Sequence, residues 1–399
     1  MNKFTIHDKK QTSTTLIHYG RQYIDEADCE AVREVMLSDY LTQGPKVSEL
    51  EHRLCELTGA KYAVAVASGT AALHAACYAM DINEGDEVIT TPMTFAASAN
   101  CVLYCGGTPV FADVEPDTYN ICPKSVESLV TEKTKAVIAV DFTGQAAKYD
   151  ELRDICKRHN LVLVGDAAHS IGTKYNGKYI GNVADMTTFS FHPVKTVTCG
   201  EGGAILTNCK EYYDKLMLFR THGITRNQMQ MKNPSNDPWY YEQIELGYNY
   251  RLTDIQAALI LSQLDKLEIF AKRRKEIVKR YDEAFSAVPE VIAQKEISGS
   301  DTVRHLYIIQ LNYELLDCTR RMFYDAMAEK NIICNVHYIP VYYHPHYRQL
   351  GYEKGLCPDT EKVYEGFLSI PLYYSLTDDE VDRVIDAVKI VVGQLRKEN

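Results

Sequence analysis

Short apolar runs alternate along this chain with longer stretches in which apolar residues recur every three or four positions, a pattern that predicts strands and helices in turn. The runs at Tyr62–Val66, Glu87-Val88-Ile89-Thr90, Pro109-Val110-Phe111, Ala136-Val137-Ile138-Ala139-Val140, Leu161-Val162-Leu163-Val164 and Thr188-Phe189-Ser190-Phe191 read as strands. The fifth is wholly apolar and partly β-branched, as a strand buried on both faces must be. Between them, Asp25 caps a helix whose apolar positions are Cys29, Val32 and Met36, and Pro45 opens another with the face Val47, Leu50, Leu54 and Leu57, closed by Gly59. Further helices are expected from about Thr94, after Pro123 and near Tyr149. This order predicts an α/β fold: a mainly parallel, mixed sheet sandwiched by helices.

A charge-rich pattern over residues 254–285 predicts one long helix leading from a large domain, residues 1–253 with an N-terminal segment, into a smaller α/β C-terminal domain. The second unit, 254–399, counts that linking helix, a strand at His305-Leu306-Tyr307-Ile308-Ile309 and a helix from about Thr319 to Lys330. Turn chemistry marks the connections. Gly44-Pro45 stops the segment Ser38-Asp39-Tyr40-Leu41-Thr42-Gln43, and the small-residue turn Ala67-Ser68-Gly69-Thr70 leads from a strand into a helix. A polar stretch over 226–237, beginning at Arg226, is the expected mobile loop, with the sole tryptophan, Trp239, just after it.

Composition narrows the classes. With 399 residues, 46% hydrophobic and 24% charged, the chain is long enough for two globular units. A formal net charge of −11 argues against a nucleic-acid backbone or an anionic membrane as partner. Twelve cysteines are scattered without a C-x-x-C pair, as free thiols in a reducing compartment would be. The polar N-terminus has no apolar secretion core and no segment reaches membrane-spanning length, so a cytoplasmic location is expected. His337, His344 and His346 lack an acidic or cysteine partner at ligand spacing, which leaves no metal site to assign.

The chemistry concentrates between Gly165 and Gly203. Asp166 ends an apolar strand, where open α/β sheets bind ligands, although a helix cap is the alternative use of a carboxylate there. Lys195 follows Phe189-Ser190-Phe191-His192-Pro193-Val194 and precedes Gly200-Glu201-Gly202-Gly203, a turn whose glycines let a ligand approach closely. The turn at Ser68, Gly69 and Thr70 opens a helix, and free N–H groups at a helix start suit a phosphate. It is not G-x-G-x-x-G, which counts against a dinucleotide-binding Rossmann fold.

The succession D-A-A-H, F-S-F-H-P-V-K and G-E-G-G resembles the DegT/DnrJ/EryC1/StrS family of pyridoxal 5′-phosphate (PLP) aminotransferases of fold type I, which act on nucleotide-linked keto-sugars. The likeness runs from about Tyr19 to the C-terminus. It implies that Lys195 carries the cofactor covalently, that Asp166 pairs with its ring nitrogen and that Phe95 stacks on the ring. It puts His169, where glutamine is commoner, on the ring's oxygen side, and Ser68, Gly69, Thr70 and Ser190 on the phosphate. Asn249 would reach the phosphate in a partner subunit, implying a homodimer with shared sites. Substrate contacts are implied for Tyr19, Asp39, Tyr40, Leu41, Thr42, His192, Arg226, His337, Tyr338, Ile339, Pro340 and Val341.

Within the family, the segments L-T-Q-G, H-P-V-K and V-H-Y-I-P resemble C4 aminotransferases of pseudaminic acid biosynthesis. That implies L-glutamate as donor, a UDP-linked 4-keto-6-deoxy-N-acetylhexosamine as acceptor and UDP-4-amino-4,6-dideoxy-N-acetyl-β-L-altrosamine as product. Three other readings stay open: an aminotransferase for a bacillosamine or perosamine precursor, a member that dehydrates or deoxygenates its sugar, and a non-catalytic sensor on the same fold. Members that remove the 3-hydroxyl have histidine in place of this lysine, so Lys195 speaks against the second.

Overall fold

The computed structural model describes residues 15–397; the polar N-terminal dozen, expected to be loosely held, lie outside the described residues. Seven strands form the main sheet: β1 (Tyr62–Val66), β2 (Glu87–Thr90), β3 (Thr108–Phe111), β4 (Thr134–Val140), β5 (Val162–Asp166), and, after the small ribbon β6 (Lys174–Tyr175) and β7 (Lys178–Tyr179), β8 (Met186–Ser190) and β9 (Gly203–Thr207). Their order is β1-β9-β8-β5-β4-β2-β3. From β3 across to β8 all pairings are parallel, and β9 runs antiparallel to both β8 and β1.

Successive side chains of a strand point to opposite faces, and here both faces are covered. Val64, Ile138, Val164 and Ile205 pack under one helix layer, while Ala63, Val137, Leu163 and Leu206 join the core on the other side. This double burial is why the strands read as unbroken apolar runs. The helices α1 (Glu26–Met36), α2 (Pro45–Thr58), α3 (Gly69–Ala79) and α4 (Ala97–Tyr104) follow the predicted order. In α2, Leu50 and Leu54 are fully buried, and Gly59 ends the helix in the left-handed conformation, φ 77°.

Two expectations are corrected. The buried side of α1 is Asp28 and Val35 rather than Cys29, Val32 and Met36; Cys29 and Met36 are exposed. Asp28 is buried because it accepts hydrogen bonds from Ser262 Oγ at 2.7 Å and Gln263 Nε2 at 2.8 Å and pairs with Lys266 Nζ at 2.8 Å. A polar docking face of this kind leaves no apolar periodicity to read. The expected single helix over 254–285 is two, Asp254–Leu264 and Leu267–Phe285, broken where Lys266 turns toward Asp25 and Asp28.

The first of those helices packs in the main core through Ala257, Ile260 and Leu264, and the second passes to another core through Ile277, Tyr281 and Phe285. That second core covers an antiparallel sheet whose strands are Val291–Ala293, Tyr307–Leu311 and Phe367–Ile370. Ile17, from the start of the described chain, joins it. Among the described residues no helix is long and apolar enough to cross a membrane.

Candidate active site

Asp166 is the last residue of β5 and is 4% exposed. Its Oδ2 accepts from Ser98 Oγ at 2.7 Å and its Oδ1 from the backbone N–H of Ala168 at 3.2 Å. Ser98 lies on α4 and shares a 2.7 Å hydrogen bond with Thr94 Oγ1, so α4 holds the carboxylate's orientation. Burial raises the pKa of Asp166; Ser98, the Ala168 N–H and the charge of Lys195 oppose that rise.

Lys195 sits in the turn between β8 and β9. Here β8 ends at Ser190, and the chain is held by hydrogen bonds from Phe191 N–H to Gly202 O (2.9 Å), Cys199 N–H to Phe191 O (3.0 Å) and Lys195 N–H to His192 O (2.9 Å). Burial lowers the pKa of Lys195 to about 8, with Asp166 acting in the other direction. An amine tuned this way is present in part as free base near neutral pH, as a proton-transferring lysine must be.

Ser68 caps α3, its Oγ accepting from the N–H of Ala71 at 3.0 Å. A side chain at Gly69 would place its Cβ 2.8 Å from Ser190 Cβ, and one at Gly203 would come 2.4 Å from Ser68 O. Both glycines are therefore required for the helix start to lie against the end of β8 and the start of β9. The result is a cradle of Ser68, Gly69, Thr70 and Ser190 at the positive end of a helix.

These groups open on one cavity of about 410 Å³, which also receives Tyr19, Phe95, His192, His337 and Tyr338. Phe95 is 62% exposed at its mouth, its ring centroid 6.1 Å from that of Tyr338. His169 is buried in the wall; its Nε2 meets the Tyr338 hydroxyl at 3.2 Å and its Nδ1 has no hydrogen-bond partner among the described residues. Burial, then the charge of Lys195, holds His169 well below the usual imidazole range, and the same two causes bring His337 to about 4.

Other predicted residues lie elsewhere in the chain. Asp39, Tyr40, Leu41 and Thr42 are exposed on a loop that Asp254 anchors by accepting from Gly44 and Lys46 N–H, each at 2.8 Å. Asn249 is exposed beside Thr221, and Arg226 stacks over Tyr241 with its guanidinium 5.6 Å from the ring centroid. Ile339 is exposed, Pro340 is buried outside the cavity lining, and Val341 packs in a core with Phe111 and Tyr342 while its N–H donates to Pro92 O at 3.0 Å. The structure adds Ser98, Thr94 and His305, which the sequence reading did not single out. Ser98 stands three residues after Phe95, one helical turn on, and that spacing was the available signal.

A buried lysine of lowered pKa, a strand-end carboxylate fixed by two donors, and a helix start that tolerates no Cβ at either glycine fit PLP at its carbonyl, ring nitrogen and phosphate. The fold and cavity thus define a PLP-dependent transferase of fold type I. More particularly, the chain belongs to the DegT/DnrJ/EryC1/StrS aminotransferase family, whose model matches residues 22–389. The spore coat polysaccharide biosynthesis protein SpsC of Bacillus subtilis is 40% identical over 96% of this chain and 98% of its own. Helicobacter pylori PseC, an aminotransferase involved in the biosynthesis of pseudoaminic acid, superposes with a TM-score of 0.88 at 32% identity, covering 96% of this chain and all of PseC. The PLP form of Spr1654 from Streptococcus pneumoniae gives 0.88 at 32%, covering 95% and 99%. The protein is a PLP-dependent sugar aminotransferase.

Proposed function

We propose that this enzyme moves the amino group of L-glutamate to C4 of a UDP-linked 4-keto-6-deoxy-N-acetylhexosamine, forming UDP-4-amino-4,6-dideoxy-N-acetyl-β-L-altrosamine for pseudaminic acid biosynthesis. The observation that carries the reading is that His337 and Tyr338, from the V-H-Y-I-P segment, enter the same cavity as Lys195. The likeness to PseC over nearly the whole chain supports it.

Bound PLP supplies an electron sink that permits heterolysis of a C–H bond beside nitrogen. Asp166, oriented by Ser98, holds the positive charge of the ring nitrogen. Lys195 Nζ takes the proton from Cα of the donor and, in the second half-reaction, delivers one to C4 of the sugar. Ser68, Gly69, Thr70 and Ser190 bind the phosphate, and His169 stands with Tyr338 at the other wall. Phe95 at the mouth provides an aromatic face for a flat ring.

Asn249, Arg226 and the loop at Asp39, Tyr40, Leu41 and Thr42 are offered to a second copy of the chain. In this reading the enzyme is a homodimer whose two sites are each completed across the two-fold axis. The 40% identity to SpsC, named for spore coat polysaccharide biosynthesis, supports a second reading, in which the acceptor is a nucleotide keto-sugar of another kind, bacillosamine and perosamine precursors among the candidates. The experiment is turnover with ¹⁵N-labelled glutamate and each UDP- or GDP-linked 4-ketone in turn. Label at C4 of the altrosamine product at the highest kcat/KM supports the first assignment; faster labelling of another sugar replaces it with the second.

A further inference from the structure

Three buried histidines line the wall beside Lys195, and their ring nitrogens are unequally engaged. His337 is used twice, Nδ1 with Ser369 Oγ at 2.9 Å and Nε2 with Asn335 Nδ2 at 3.2 Å. His169 is used once, by Tyr338. His305 makes no ring hydrogen bond among the described residues, although it is only 4% exposed and its Nδ1 is sealed from solvent. Its ring packs on that of His169, centroids 4.6 Å apart.

The backbone that carries it is tied at both ends. His305 N–H donates to Thr143 O at 2.7 Å, and its carbonyl accepts from Arg274 Nη1 at 3.3 Å. Arg274 is itself 2% exposed and spends that nitrogen on the carbonyls of Arg304, His305 and Leu372, with no carboxylate partner among the described residues. An unpaired buried imidazole costs stability; Nδ1 is sealed, so a scaffold that places this ring in the lining of the cavity that holds Lys195 leaves Nε2 as the atom for a ligand. Burial and the nearby charges of Lys195 and Arg274 keep the ring neutral, so it offers an N–H without opposing the lysine.

Among the described residues the cavity lining contains no arginine, and its one lysine is the reacting amine. His169 Nδ1 is also without a hydrogen bond among the described residues, but of the three rings His305 alone has neither nitrogen engaged there, so a carboxylate entering beside Lys195 finds it as the wholly uncommitted ring. We infer that His305 receives the carboxylate of the amino donor and so selects an amino acid as donor. The inference rests on the reading of glutamate as that donor.

Calorimetric titration of the PLP-loaded full chain with glutarate, a dicarboxylate lacking the amine, is the test. In His305→Leu, glutarate affinity falls about tenfold or more, the loss of one hydrogen bond to a charged group. His305→Gln, which keeps an N–H, stays within about threefold of wild type. The melting temperature of His305→Leu is not lowered, because an unpaired polar group has been removed, and KM for glutamate rises while KM for the keto-sugar does not. Should His305→Leu fail to fold, His305→Met carries the same comparison.

Glutarate binding that is undetectable in wild type or equal in His305→Leu overturns the inference, as does an equal rise in both KM values. Weakened glutarate binding in the variant, together with a wild type that takes no amino group from glutamate, leaves the carboxylate subsite standing and removes glutamate as donor. Normal use of glutamate by both proteins does the reverse.

Discussion

Two neighbouring strands of the sheet end in aspartates that differ in almost nothing but what they face. Asp141 follows β4 and Asp166 closes β5; the N–H of Asp141 donates to Asp166 O at 3.0 Å, and both side chains are buried. Asp141 turns into the scaffold, accepting from Ser170 Oγ at 2.6 Å and from Ala147 N–H and Tyr149 Oη at 2.9 Å each. Among the described residues Asp166 has only Ser98 and the Ala168 N–H, and its remaining field comes from Lys195. Even with three donors, burial pushes Asp141 up to about 7, the charge of Asp166 adding to the rise. Position at the ligand edge of a sheet is thus insufficient to make a carboxylate functional. The cation and the open space opposite decide it.

Substitutions at the two positions sharpen that contrast. Asp166→Asn keeps the shape and the Ser98 contact but removes the charge, and kcat is expected to fall by about 10²–10³, the usual loss for a preorganised electrostatic partner, in a steady-state assay with keto-sugar and glutamate. Ser98→Ala removes one of the two donors to Asp166 and is expected to cost kcat about tenfold, with the protein still folded by circular dichroism.

Asp141→Asn is expected to leave kcat within about threefold and to act on stability instead. Its folded pKa is raised above the unfolded 3.8, so the folded state binds the extra proton between 3.8 and about 7. That stability is complete below the unfolded value and is lost as pH rises through about 7, at up to about 1.4 kcal/mol per pH unit. Thermal melts from pH 5 to 8 should show the wild type declining and the variant flattened. A large loss of activity in Asp141→Asn with an unchanged pH profile would dissolve the distinction between the two aspartates.

The same contrast explains what was legible in the sequence. Asp166, Lys195 and the turn at Ser68, Gly69 and Thr70 could be read because each lies where a strand pattern meets a turn pattern, and the family resemblance then assigned their roles. Ser98 and His305 were missed, since their importance arises from α4 and the second core approaching β5 in space, and the spacing of Ser98 from Phe95 was the one signal along the chain. The face of α1 was misread because a buried carboxylate, Asp28, docks it on Ser262, Gln263 and Lys266 where an apolar stripe was expected. Asn249, Arg226 and the loop from Asp39 to Thr42 are exposed in the single chain, and under the proposed dimer a second copy would bring them to a site.

We propose Lys195 as the residue through which the cavity holds PLP and exchanges amino groups. The most direct measurement is the visible absorbance of the purified chain saturated with PLP, before and after glutamate, beside Lys195→Ala. The expected result is a yellow band in wild type that glutamate bleaches and that the variant never forms. A wild type without such a band at saturating cofactor, or a variant that retains it and bleaches equally, would contradict the account.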